Sequence, residues 1–83
     1  MVIDLHLYEK FPYPLSTQLE HFEREMDKAL VLGLSNITVI HGIGGGVLKS
    51  EIHKLAKKHP HVESFINEYH PLYGFGSTKI TFK

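Results

Sequence analysis

The run Ile37-Thr38-Val39-Ile40 passes directly into His41-Gly42-Ile43-Gly44-Gly45-Gly46, and an amphipathic stretch follows from Val47. β-Branched residues with no polar alternation beyond Thr38 describe a buried inner strand. Val47, Leu48, Ile52, Leu55 and Ala56 form one apolar stripe at helical spacing, and Pro60 stops it. A strand that turns through glycine into a helix commits the chain to α/β packing. In open α/β sheets, ligands gather beyond the carboxyl ends of the parallel strands. Glycine there lets a backbone approach closely, and the helix start offers unpaired N–H groups and partial positive charge. A phosphate is the natural occupant. The block is not a P-loop, because Val47-Leu48 stand where Lys-Ser/Thr is required and Lys49-Ser50 falls inside the helix. Nor is it a dinucleotide fingerprint, since Val47 takes the place of the third glycine. The plain alternative is a turn whose glycines supply only unusual dihedrals.

The other elements follow from periodicity. Val2-Ile3-Asp4-Leu5-His6-Leu7 alternates, with Ile3, Leu5 and Leu7 on one face and Asp4 and His6 on the other. Phe11-Pro12-Tyr13-Pro14 then breaks regular structure. Thr17 and Glu20 fit a capping box, Leu19, Phe22, Met26, Ala29 and Leu30 form a helical face, and Gly33 is its stop. Val62 to Tyr69 and Thr78 to Phe82 read as further strands. The order βαβαββ predicts an α/β (α+β) two-layer sandwich, a mixed four-stranded sheet carrying two helices. Parallel crossovers begin it, and the closing pair is expected to add an antiparallel edge. With 83 residues and no repeat or linker, residues 1–83 form a single domain.

Composition removes several function classes. The absence of cysteine excludes a disulfide scaffold, a thiolate zinc site and a Cys nucleophile. No apolar run approaches the roughly 20 residues that span a bilayer, and no signal peptide opens the chain, so a cytoplasmic protein with no membrane contact is expected. Nine Lys+Arg offset nine Asp+Glu, which removes the bulk argument for nucleic-acid binding. Resolved along the chain, however, residues 1–41 carry −3 and residues 42–83 carry +3. Lys49, Lys54, Lys57 and Lys58 all lie on the second helix, where they can track a phosphate backbone. A solvated face with C-terminal lysines favoured by the helix dipole is the simpler account of Lys57 and Lys58, but not of Lys49. Of the seven histidines, His53, His59 and His61 read as surface residues, because Pro60 separates them and no carboxylate completes a metal cluster.

Asp4 and His6 emerge side by side on one strand face, about 7 Å apart. If the first two strands are neighbours, about 5 Å apart, His41 can reach the same crevice. One carboxylate and two imidazoles beside a phosphate-sized pocket can perform acid/base chemistry on a phosphodiester. The same set can form a facial metal site, for which Mg or Mn is a compatible ion that no residue demands. The bland alternative for Asp4 and His6 is a solvated sheet face. Phe75, between two glycines, is a candidate for stacking on an unpaired base or for packing on the core.

Three motifs, Ile3-Asp4-Leu5-His6, then His41-Gly42-Ile43-Gly44 leading into Gly46-Val47-Leu48-Lys49, then Gly74-Phe75-Gly76-Ser77-Thr78, together resemble the Smr (small MutS-related) domain over nearly the whole chain. The resemblance implies a fold like the C-terminal domain of translation initiation factor three. It also implies nicking of DNA, cleavage of RNA in translation quality control, or plain nucleic-acid binding, in a module that commonly ends a larger protein. By position, Asp4 and His6 match the motif implicated in cleavage. His41, Gly42, Ile43, Gly44, Gly45, Gly46 and Lys49 fall on the segment lining the binding crevice. Gly74, Phe75, Gly76 and Thr78 match the turn and strand beside it. Two departures stand out: Leu7 replaces the usual glycine, and Ile43 replaces a usual Lys or Arg. A cation at position 43 would contact phosphate or stabilise transition-state charge, so its absence bears on cleavage more than on binding. A non-catalytic nucleic-acid-binding domain and a protein-interaction domain are the competing expectations.

Overall fold

A computed structural model describes residues 1–5, 14–42, 46–72 and 74–83. The elements are β1 (Val2–Asp4), α1 (Leu15–Val31), β2 (Asn36–Ile40), α2 (Val47–Lys58), β3 (Val62–His70) and β4 (Gly74–Phe82). They form one four-stranded sheet in the order β1-β2-β4-β3. β1 runs parallel to β2, while β4 is antiparallel to both β2 and β3. The expected βαβαββ mixed sheet with two helices is therefore present. The closing pair adds the expected antiparallel edge, with β4 between β2 and β3 and β3 outermost. β4 also begins at Gly74, four residues before the expected Thr78, because its first turns of chain pair with β3 at Glu68↔Ser77 and His70↔Gly74.

Both helices cover the same sheet face. Phe22, Met26 and Ala29 of α1 and Ile52 and Ala56 of α2 meet Ile3, Leu5, Ile37, Val39, Ile80 and Phe82 in one core. Each fully buried Ile or Phe contributes about 1.5–3 kcal/mol, which is what fixes the strand register in so small a domain. The pairs Ile37↔Ile80 and Val39↔Thr78 face the helices. Thr38↔Lys79 and Ile40↔Ser77 therefore lie on the opposite face.

The helix ends are set by backbone as much as by side chains. α1 starts at Leu15 behind Pro14, without a side-chain cap, so the expected Thr17–Glu20 capping box is not formed. Pro14 has no N–H to lose, and its carbonyl already accepts from the Thr17 N–H at 3.0 Å. At the other end, Gly33 N–H donates to Leu30 O and Leu34 N–H to Ala29 O, with Gly33 at φ +72°. That double bond pattern closes a helix on a left-handed residue, as the position of Gly33 predicts. No helix among the described residues is long and apolar enough to cross a membrane.

Candidate functional site

The carboxyl end of β2 is hooked to β4. The N–H groups of His41 and Gly42 both donate to the Gly76 carbonyl, at 2.9 and 3.0 Å. This turns the chain out of the sheet just before α2, whose first residue is preceded by Gly46 at φ +80°. Gly46 brings no side chain to cap the first N–H groups of α2.

His41 is buried on the helix-covered face, and its two nitrogens are both engaged. Nδ1 lies 3.0 Å from the Gly42 carbonyl and Nε2 lies 2.8 Å from Thr78 Oγ1. His53, on α2, places its own Nε2 2.8 Å from the same hydroxyl. A carbonyl only accepts, so Nδ1 of His41 carries the proton, and in the neutral ring Nε2 is bare. Thr78 then donates its O–H to His41 and accepts from the Nε2–H of His53. Burial lowers the pKa of both imidazoles from the ordinary histidine value. For His41 the Gly42 hydrogen bond acts in the opposite sense and nearby Lys49 adds to the lowering; for His53, His41 and then Lys49 add to it. Both rings are neutral at pH 7.

Lys49 reaches across from α2 to β3, donating from Nζ to Asn67 Oδ1 at 2.9 Å. The Asn67 amide in turn donates to the carbonyls of Phe75 and Ser77, each at 2.7 Å. Gly46, Lys49, Ser50, His53, Lys54 and Lys57 line a groove of about 430 Å³ whose far wall is Phe65 of β3. Lys57 lines this groove as an exposed side chain. Lys58 instead lines a second cleft beside Glu23 and Asp27 of α1. At the tip of the β3–β4 hairpin, Tyr69 and Phe75 are exposed and their rings meet at 5.5 Å in a T-shape.

Asp4 ends β1 as the parallel partner of Ile40, on the face away from the helices. His41 lies on the helix-covered face, so the neighbouring strands do not bring these two side chains into one crevice. Among the described residues, no three of His, Cys, Asp and Glu are placed to hold a metal ion, and the facial set of Asp4, His6 and His41 includes a residue outside them. His6, Ile43, Gly44 and Gly45 lie outside the described residues. Gly42, Gly46, Lys49 and Thr78 surround the His41–His53 pair, while Gly74, Phe75 and Gly76 form the start of β4. His53 and Asn67 were not expected here. The signal for His53 is its position four residues after Lys49 and one after core Ile52, on the flank of the buried stripe.

Residues 3–83 match the family model described as Smr domain. The chain belongs to the Smr domain family. It is 33% identical over 69 residues to a protein of Alkaliphilus oremlandii named endonuclease MutS2, a match covering 83% of this chain and 9% of that protein. The chain therefore spans less than a tenth of the length of such relatives. Its fold superimposes on the crystal structure of the Smr domain of Thermus thermophilus MutS2 with a TM-score of 0.81 and 26% identity, covering 99% of this chain and 96% of that one. A stand-alone small MutS-related protein of Escherichia coli, YdaL, shares the fold at a TM-score of 0.82 and 18% identity, over 99% of this chain and 63% of that one.

Proposed function

We propose that this Smr domain binds the phosphodiester backbone of DNA or RNA along the groove between α2 and β3, and nicks it as an endonuclease. One observation carries the reading: Lys49, Lys54, Lys57 and His53 line a single groove that opens beside the glycine turn. Relatives named endonuclease supply the reaction class. In this reading the cations hold phosphate oxygens, and the open amides at the start of α2 add a partial positive charge. Asp4 and His6, the two residues that match the motif implicated in cleavage, are the further acid/base groups of this reading. The domain acts as one part of a larger chain that delivers it to its substrate, consistent with weak affinity of its own.

The test is incubation with single-stranded, duplex and branched DNA and RNA, with and without Mg²⁺ or Mn²⁺. Nicking is expected, and it should disappear in Asp4→Ala and in His6→Ala. Full cleavage by both variants would remove Asp4 and His6 from the mechanism. Ile43 favours a second reading, in which the domain binds without cutting. Under it no substrate is nicked, and Ile43→Lys gains the activity. Failure to bind any nucleic acid at low salt would overturn both readings and point to a protein partner.

A further inference from the structure

We propose that His53 is a proton acceptor of this groove, its Nδ1 kept bare for the nucleophile by the Thr78 hydroxyl and His41. The inference rests on the endonuclease reading and adds a residue to it. The Gly42 carbonyl gives the hydrogen-bond chain one direction. With neutral rings, the reverse polarity would set a lone pair of His41 Nδ1 against the carbonyl oxygen at 3.0 Å. His53 is therefore the tautomer protonated at Nε2, where it binds Thr78 at 2.8 Å. Its Nδ1 has no protein partner among the described residues. The ring is held in place by Phe65, with centroids 4.9 Å apart, and by the edge of His41 at 6.2 Å. Its charged and titratable neighbours are Lys49, Lys54 and Lys57 on α2 and His41 at the end of β2, whereas β3 and β4 present uncharged Phe65 and Thr78. These cations attract phosphate, while burial, with His41 and Lys49 adding to it, favours the unprotonated imidazole.

The step is a proton transfer coupled to displacement at phosphorus. An oxygen nucleophile, water or the 2′-hydroxyl of RNA, gives its proton to His53 Nδ1 as its oxygen bonds to phosphorus. The bond from phosphorus to the leaving sugar oxygen breaks with its electron pair on that oxygen, which takes a proton from solvent. The imidazolium can then pass its Nε2 proton to Thr78 Oγ1 while the Thr78 proton moves to His41 Nε2. Thr78 and His41 are positioning residues in this scheme, and His53 touches the reacting atoms.

Nitrogen-15 NMR of the wild-type imidazoles at neutral pH should show His53 protonated at Nε2 and His41 at Nδ1. In single-turnover cleavage, His53→Gln should lose about 100-fold or more in rate while binding to a single strand changes less than about twofold. The wild-type rate should rise through an inflection below about pH 6.5 that His53→Gln lacks. Thr78→Ser, which keeps the hydroxyl, should retain most activity, and Thr78→Val should lose about tenfold or more. Cleavage of RNA alone would name the 2′-hydroxyl as nucleophile, and cleavage of an all-deoxy strand as well would name water. Reversed tautomers, or wild-type rates in His53→Gln, would overturn the inference and leave the endonuclease reading intact. Wild-type protein that binds yet cleaves nothing fails that reading first, before any variant is made, and takes the role of His53 with it.

Discussion

α1 and α2 do the same packing work and opposite electrostatic work. Each lays an apolar stripe on one sheet face, through Phe22, Met26 and Ala29 in one case and Ile52 and Ala56 in the other. α1 carries Glu20, Glu23, Glu25 and Asp27 against Arg24 and Lys28, whereas α2 carries Lys49, Lys54, Lys57 and Lys58 against Glu51. The deeper difference lies at the edge of the stripe. α2 turns His53 and Lys49 toward Thr78 and Asn67 of the sheet, so its flank is polar and bonded where the flank of a packing helix would be inert. A neutral total charge is thus the sum of a supporting helix and a ligand-facing one, joined at the seam where Lys58 lies beside Glu23 and Asp27.

The largest expected effect breaks this contrast directly. Simultaneous Lys49→Ala, Lys54→Ala and Lys57→Ala should remove three phosphate contacts, while Arg24→Ala with Lys28→Ala on α1 should leave binding unchanged. Three contacts to a duplex give a salt slope of about −2.7, so raising salt fourfold should weaken the wild type about 40-fold through them. The triple variant should lose that sensitivity, as followed by fluorescence anisotropy across salt. Equal losses from the α1 and α2 substitutions would mean that the groove is not the binding surface.

Much of this contrast was visible in the sequence, and the parts that were not depend on long-range pairing. The apolar stripes, the Gly33 stop and the change of charge between the halves are local patterns, and each appears in the fold. The insertion of β4 is not local. Gly74-Phe75-Gly76-Ser77 reads as a turn because glycine weakens a strand, yet pairing with β3 and the hook from His41 and Gly42 to the Gly76 carbonyl hold it extended. In the sequence His53 reads as a surface residue, because Pro60 separates it from His61 and no carboxylate joins the three histidines. Its partner, Thr78, stands 25 residues away on a strand whose place in the sheet no local pattern reveals. The expected meeting of Asp4 with His41 assumed one shared face, and the alternation of β1 and β2 separates them.

A smaller effect sharpens the comparison at the helix ends. Gly33 closes α1 at φ +72° and Gly46 opens α2 at φ +80°, and a Cβ built on either meets nothing within 4 Å. Alanine at each should therefore cost conformational energy alone, about 1–2 kcal/mol, measured by urea denaturation. Asparagine, which tolerates the left-handed region, should recover part of the loss at both. The two sites should diverge in function. Gly33→Ala should bind nucleic acid as the wild type does once folded, whereas Gly46→Ala shifts the start of α2 and should weaken binding. Equal binding by both variants would show that the turn into α2 contributes no geometry to the groove.

The smallest expected effect is a dependence of stability on pH that resides on α2 and β2 and spares α1. Burial holds His41 and His53 below their unfolded pKa of about 6.5, so the unfolded chain binds more protons than the folded one over the interval between the two values. Stability is complete above about pH 6.5, falls as the pH drops through the interval, and levels off once it is below the folded values. Urea midpoints between pH 7.5 and 5.5 should record that fall, before the carboxylates begin to titrate at about pH 4. His53→Gln removes one of the two protons and leaves His41 with the burial and the nearby Lys49 that lower it. The variant should therefore show a shallower fall than the wild type. A fall of the same depth in the variant would place the pH dependence elsewhere and would separate the charge of α2 from the stability of the fold.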